Sequence, residues 1–452
     1  MALPYAQKQR RWLVLIISVL ALYWLQPASP IHGLSFWLPT ASLVMLILSW
    51  AITRQSSHSR FDLVAAGIIA IFVLGLGLTR HVPTLCYLTA ARPPQTWQVT
   101  LVLISVGLLA LIIFRFNIRQ SYIPWSAAGL VLLLFCVLKS PTLSLMASSL
   151  LRKLSGQDPS LAAASDISWL GFSYIAFRLL HILRDRITGR LPEVSLDEFI
   201  SYIIFFPALT AGPIDRIEHF VGQMRERLAL NSNTFLSAGV RIISGMFMKF
   251  VLADGLMLLS LNPENSLLVT STSWMWLLTY AYAFRILFDF AGYTSIAIGI
   301  GMLFGIRLPE NFAQPYRQSN LTSFWNSWHI TLAQWFRAYF FNPLSRFMRQ
   351  KKLPAWTIIF SAQVSTMVLI GLWHGISWNF FLWGLWHGLG LFIHNRWAEF
   401  CKGRSPLLPH KLGKVFSIIL TFHFVVLGWV WFALPSPAHS LHVYRVLFGG
   451  GK

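Results

Sequence analysis

Two short stretches decide how this chain is read: Phe324-Trp325-Asn326-Ser327-Trp328-His329 and Gly371-Leu372-Trp373-His374-Gly375. Each sets a histidine beside a tryptophan, and both lie in segments too apolar to be ordinary water-facing surface. An ionisable imidazole at membrane depth is costly unless it has a partner or a task. The remaining sequence reads as a scaffold that holds His329 and His374 at some depth in a bilayer.

Composition supports that setting. The chain has 452 residues, 56% of them hydrophobic and 11% charged, whereas soluble domains carry about 25% charged residues. Apolar runs of roughly 20 residues recur. They are continuous rather than alternating, which argues for helices and against an outer-membrane barrel. The formal charge of +21 comes from 36 Lys and Arg against 15 Asp and Glu. The basic residues sit in short loops between apolar runs, as the positive-inside rule produces, so nucleic acid is not an expected partner. Cys86, Cys136 and Cys401 have no CxxC spacing, and neither a zinc site nor a disulfide framework is indicated.

Working outward, the upstream half reads as spans at 12–27, 34–52, 62–79, 99–114 and 123–139. The first is read as a retained helix. Lys8, Arg10 and Arg11 precede it as in a leader peptide, but no small-residue cleavage pattern follows. The basic loops 54–60 and 115–119 fall on one side of the membrane, which places the N-terminus in the cytoplasm and the loop 80–98 outside. A polar stretch at 140–165 is also expected outside. A further span from Trp169 returns the chain to the cytoplasm through Arg178, Arg184, Arg186 and Arg190.

Residues 199–213 are apolar but short, and hold Pro207 and Ala211-Gly212-Pro213. They read as a broken or re-entrant segment, which needs protein or a cavity around it. The basic segment 216–227 is expected along the inner face. The span 235–260 contains Arg241 and Lys249, both read as interfacial, with Lys249 snorkelling. The span 273–303 contains Arg285 and Asp289 at i,i+4 spacing. Two readings stand: a structural pair that offsets burial, or groups lining a polar passage. After an inside loop at 304–323, residues 324–341 read as a helix at the interface or dipping in, stopped by Pro343. The last spans are 355–372, 377–395 and 413–433.

Imidazole is the usual general base for a hydroxyl, because its pKa lies near working pH. His329 and His374 are therefore a candidate pair, and structural hydrogen-bonding histidines are the alternative. Gly384-Leu385-Trp386-His387-Gly388 repeats the second stretch 13 residues later. On a single helix that offset turns His387 away by about 220°, so it is read as an interhelical hydrogen-bond partner. His394 is read as interfacial. No phosphate-binding glycine loop, GxSxG elbow or HExxH is present. A metal site from His329, His374 and Asp289 lacks any signature spacing, so neither a bound metal nor a bound cofactor is expected.

Several fragments together resemble the membrane-bound O-acyltransferase family, in its bacterial alginate O-acetyltransferase and teichoic acid D-alanyl transfer branch. They are Phe205-Phe206-Pro207 with Ala211-Gly212-Pro213-Ile214, Phe284-Arg285-Ile286-Leu287-Phe288-Asp289-Phe290-Ala291-Gly292-Tyr293-Thr294, Leu308-Pro309-Glu310-Asn311-Phe312, Phe324 through Leu332, and Leu372-Trp373-His374-Gly375 with Ser377-Trp378-Asn379. The resemblance covers roughly 170–435. It implies an all-α polytopic bundle of about 11 transmembrane helices, with re-entrant or interfacial segments around a central polar funnel. The implied layout is a transmembrane scaffold at 1–165, the acyltransferase core at 166–435 and a tail at 436–452.

The resemblance also implies an O-acyltransferase with His374 as the catalytic histidine and His329 as the second. Asn326, Trp328, Trp373, Asp289 and Arg285 are candidates for lining the substrate tunnel. An acyl thioester, acetyl-CoA or an acyl carrier protein, would serve as co-substrate on the cytoplasmic side. The acceptor would be a hydroxyl of an extracytoplasmic polysaccharide, reached directly or through a periplasmic or extracellular acyltransferase partner. The bilayer of the cell membrane is the expected location. D-alanyl transfer toward teichoic acid is the alternative within the family. A non-enzymatic lipid or polysaccharide transporter is the alternative of another class, since buried charges and broken helices suit it too.

Overall fold

The structure is a computed structural model that describes residues 4–54, 60–115, 122–228, 231–404 and 409–450. The basic loops read at 54–60 and 115–119 lie almost wholly outside the described residues. Everything described is helix, turn or loop, apart from one isolated antiparallel bridge between Phe312 and Trp328. Eight described helical segments are long and apolar enough to cross a membrane: Leu34–Thr53, Phe61–His81, Thr96–Ile113, Tyr122–Lys139, Ser232–Met257, Thr272–Leu303, Ala355–His374 and Lys411–Ala433. The chain is an all-α polytopic membrane protein. The count of eight rests on length and composition together, where the sequence reading gave about eleven.

The chain divides into two compact units. The first comprises residues up to 238 together with 297–308. It contains α1 (Pro4–Trp24), α2 (Leu34–Thr53), α3 (Arg60–Leu78), α4 (Thr96–Arg115), α5 (Tyr122–Lys139), α6 (Pro141–Leu154), α7 (Phe172–Ile187), α8 (Leu196–Ile203) and α9 (Ile217–Arg225). The segment after α8 is broken as its prolines require. A 3-10 turn at Phe206–Ala208 replaces regular helix. Its freed carbonyls are taken by Arg178, which is 1% exposed and donates to the carbonyls of Ile203 at 2.6 Å and Ala208 at 2.9 Å. Non-helical backbone in a membrane protein needs such a protein partner. Arg10 does similar work at the C-terminus of α9, donating to the carbonyls of Met224 at 2.7 Å and Glu226 at 2.9 Å.

The second unit comprises 239–296 and 309–452. The helix α10 (Ser232–Met246) widens into a π turn at Phe247–Ala253 and continues as α11 (Asp254–Met257). After α12 (Asn265–Leu268) comes the 32-residue α13 (Thr272–Leu303). Here the sequence expectation needs correction. Arg285 and Asp289 do not pair with each other. Asp289 binds Lys249, and Arg285 donates to Ser260 Oγ at 3.1 Å. Arg241, read as interfacial, forms an ion pair with Glu310.

The stretch read as one helix at 324–341 is also subdivided. It contains α14 (Leu321–Trp325), a break at 326–329, α15 (Ile330–Phe336) and a π turn at Arg337–Phe341. Pro343 does not stop the helix. It sits in the first turn of α16 (Asn342–Gln350), where a missing N–H is tolerated. Then α17 (Ala355–His374) and α18 (Trp378–Cys401) pack closely. Gly371 and Gly384 allow it: a Cβ on Gly371 would meet the Phe380 carbonyl oxygen at 2.1 Å, and one on Gly384 the Met367 carbonyl oxygen at 2.5 Å. α19 (His410–Ala433) and α20 (Pro437–Leu447) complete the unit. Val430 and Leu434 share a buried cluster with Val443, Val446 and Leu447.

Candidate active site

His329 is placed by a helix break. Asn326 ends α14, and His329 itself takes φ 42°, the left-handed region, immediately before α15. The loop containing Asn311 locks this turn. The Asn311 carbonyl accepts from Ile330 N at 3.0 Å, and its Oδ1 accepts from Thr331 N at 3.2 Å and Thr331 Oγ1 at 2.7 Å. Ser327 O receives Ala313 N at 3.0 Å on the other side of the break. The histidine ring is 3% exposed and lies edge-on to Phe290, ring centroids 4.7 Å apart. Neither ring nitrogen meets a hydrogen-bond partner among the described protein groups. A buried, unpaired polar atom costs about 1–3 kcal/mol, so such a site in a native protein calls for a reason.

His374 is placed by a helix end. It is the last residue of α17, and Gly375 begins the turn into α18. Its ring is half-buried among aromatic walls: Trp373 at 4.5 Å, Phe432 at 4.7 Å, Trp383 at 5.7 Å and Phe380 at 5.8 Å. The indole of Trp373 also lies 6.2 Å from the His329 ring. Both histidine rings thus lie near one tryptophan, although 45 residues separate them in sequence.

The other predicted residues take different places. Trp373 lies near both histidine rings. Trp328 is 4% exposed and packs on Phe312 at 5.1 Å and Trp429 at 4.8 Å, a supporting place behind the turn. Asn326 accepts a hydrogen bond from Arg337 at 2.7 Å. Arg337 and Trp325 line a cavity of about 160 Å³ together with Gln363, Thr366 and Met367. Arg285 and Asp289 have the partners given above and no recorded contact with either histidine ring.

His387 requires a second correction. The prediction that it faces away assumed one continuous helix through 374–387. The break at 375–377 separates the two residues onto α17 and α18. His387 and His374 both pack on Trp383, at 5.0 Å and 5.7 Å. His387 is fully buried and, contrary to expectation, neither of its nitrogens has a hydrogen-bond partner among the described groups. His394, expected at an interface, is partly exposed and lies 3.4 Å from Thr322 Oγ1.

Sequence reasoning gave no part to Asn311, Phe290, Trp383 or Phe432. The signal for Asn311 lay in its own run, Leu308-Pro309-Glu310-Asn311-Phe312, a polar residue between prolines and aromatics. Nothing marked the three aromatics, because aromatic residues are common throughout this chain. Among the described residues no three His, Cys, Asp or Glu side chains gather as metal ligands.

Comparison with known proteins gives a consistent picture. The model of the membrane-bound O-acyltransferase family matches residues 187–402. A teichoic acid D-alanyltransferase of Streptococcus thermophilus is 32% identical over 287 residues, covering 59% of this chain and 68% of that one. A peptidoglycan O-acetyltransferase of Helicobacter pylori is 31% identical over 284 residues, covering 59% and 51%. A probable alginate O-acetylase of Pseudomonas aeruginosa is 32% identical over 283 residues, covering 62% and 52%. The matched region spans about half the length of the two acetyl-transferring relatives.

Proposed function

The chain belongs to the membrane-bound O-acyltransferase family and is an O-acyltransferase; from that premise we propose that it moves an acetyl group from a cytoplasmic thioester to a hydroxyl of an extracytoplasmic polysaccharide. The observation that supports the residue roles is the pair of histidine rings near Trp373, with both nitrogens of His329 unclaimed by described protein groups. His374 takes the proton of the acceptor hydroxyl as general base. The acceptor oxygen then bonds to the thioester carbonyl carbon, the carbon–sulfur bond breaks, and the proton passes to the departing thiolate. His329 donates a hydrogen bond to the acyl carbonyl and steadies the charge that develops there. Trp373 packs near both rings, and Asn326 with Arg337 shapes the approach beside the cavity at Trp325.

The aromatic walls around His374, formed by Trp373, Phe380, Trp383 and Phe432, favour a small neutral acyl group. D-alanyl transfer is the second reading, supported by the D-alanyltransferase relatives, one of which is matched over 68% of its length. Aromatic faces can hold a cation, which keeps that reading physically sound. Acyl turnover is measured with purified protein, a radiolabelled acetyl or D-alanyl thioester, and polysaccharide acceptor. Acetyl transfer lost in His374→Ala, with insertion and melting behaviour retained, supports the assignment. Full activity in that variant removes it. Polymer transport without any acylation would favour the transporter.

A further inference from the structure

The first unit contains a cleft of about 760 Å³ at the ends of α2, α4 and α6, far in sequence from either histidine. Its walls include Trp37, Arg80, Arg92, Gln98, Leu151 and Leu154, and no carboxylate lines it among the described residues. Arg80 is fixed by donating to the Pro93 carbonyl at 2.7 Å, which leaves the rest of its guanidinium for a ligand. Arg92 is exposed. Two guanidinium groups on one cleft with no opposing acid select an anion.

The helix α6 supplies the second observation. Its polar side is the buried one. Ser144, Ser148 and Arg152 are 3%, 0% and 6% exposed, and Ser148 and Arg152 bind Asp166 at 2.6 Å and 2.9 Å. On the opposite side Leu143, Met146, Leu150 and Leu154 are 40%, 63%, 58% and 74% exposed. A helix with its polar face inward and a leucine stripe outward is covered by hydrocarbon rather than water. That stripe runs directly into the cleft through Leu154. The same cleft therefore offers an anion site at one end and a lipid-facing apolar wall at the other.

We infer that this cleft binds an anionic phospholipid, with the phosphate group on Arg80 and Arg92 and the acyl chains along Leu151 and Leu154. Its ligand is a membrane amphiphile, and a soluble anionic polymer, which would use only the arginine end, is the competing outcome. The inference stands apart from the acyltransferase reading.

The test is native mass spectrometry of the purified full chain with equimolar phosphatidylglycerol and phosphatidylcholine of matched acyl chains. A several-fold excess of phosphatidylglycerol adducts is expected. Arg92→Gln should reduce that excess while leaving the Arg80 bond and the melting temperature intact, and Arg80→Gln/Arg92→Gln should abolish it. Leu154→Asn should weaken phosphatidylglycerol binding as well. Lys351→Gln/Lys352→Gln removes equal charge elsewhere and should leave the preference unchanged. Equal loss in that control, or no loss in the arginine variants, overturns the inference. Displacement of phosphatidylglycerol by inorganic phosphate or a soluble uronate oligosaccharide at similar concentration also overturns it, because the site would then read the anion alone.

Discussion

At the scale of single residues, His329 is notable for its backbone. Its φ of 42° lies in the left-handed region, which costs a non-glycine residue roughly 1–2 kcal/mol. The Asn311 clamp on Ile330 and Thr331 holds it there. Glycine fits this backbone without strain, so His329→Gly should keep the fold and melting temperature while acyl transfer falls about 10²-fold or more. A variant that keeps activity would remove His329 from the chemistry. Asn311→Ala should act through the same turn. It frees Thr331 N and Oγ1 and misplaces the ring, and a displacement of about 1 Å can cost on the order of 10²-fold in kcat. Steady-state kinetics should show kcat falling more than KM rises. The sequence marked His329 and His374 by type and setting. The run Leu308–Phe312 drew notice to Asn311, but its clamp on Thr331 depends on a loop meeting a helix break, which the sequence does not show.

At the scale of elements, the close approach of α17 and α18 fixes His374 on its aromatic walls. Gly384→Leu would drive a side chain into the Met367 carbonyl, now 2.5 Å from an idealised Cβ. We expect a melting temperature lower by several degrees and loss of turnover together, since both helices carry site residues. The ion pair between Lys249 in the π turn and Asp289 on α13 permits a double-mutant cycle. Asp289→Leu alone leaves the ammonium unpaired and, with the carboxylate half exposed, should destabilise by about 1 kcal/mol, whereas Lys249→Met/Asp289→Leu should recover most of it. Additive losses in thermal melts would show that the pair contributes little. The i,i+4 rule pointed to Arg285 because it considers one helix only, and the true partner came from another element.

At the scale of the molecule, a composition of 56% hydrophobic residues places the chain in a bilayer, and its polar clusters hold the non-spanning parts. Glu198 is the clearest example. Burial works to raise its carboxyl. The hydrogen bonds from Arg225, the charge of Arg11 and the Ser195 amide outweigh that and hold it below the ordinary range. A carboxyl lowered in the folded state stabilises fully above the unfolded value of about 4.3. That contribution is lost as pH falls through the lower folded value. The melting temperature of the parent should drop as pH is lowered from 6 toward 3, and Glu198→Gln should start lower and lose less over that range. Identical pH profiles would exclude this carboxyl as a source of acid sensitivity. The proposed orientation is checked with single cysteines in a background lacking Cys86, Cys136 and Cys401. A cysteine at Arg92 should label from outside intact cells, and one at Lys402 should not.

The sequence by itself determined the membrane class, the helical fold and the family, and it singled out the two histidines proposed for the chemistry. The class and the helices follow from apolar run length, the histidines stand out by their cost in lipid, and the family rests on the resemblance of the quoted fragments, all of which are available without coordinates. The break within the segment read at 199–213 was legible for the same reason, since proline and glycine act locally, although its first residues belong to the regular helix α8. Only the tertiary structure decided which polar groups meet. Lys249 reaches Asp289, Arg178 holds the carbonyls of the broken segment, and Trp373 lies near the rings of both His329 and His374. It also brought His387 onto Trp383 beside His374, against a helical-wheel argument that held only for an unbroken helix. Partner choice depends on the packing of elements distant in sequence, and periodicity along one segment carries no record of it.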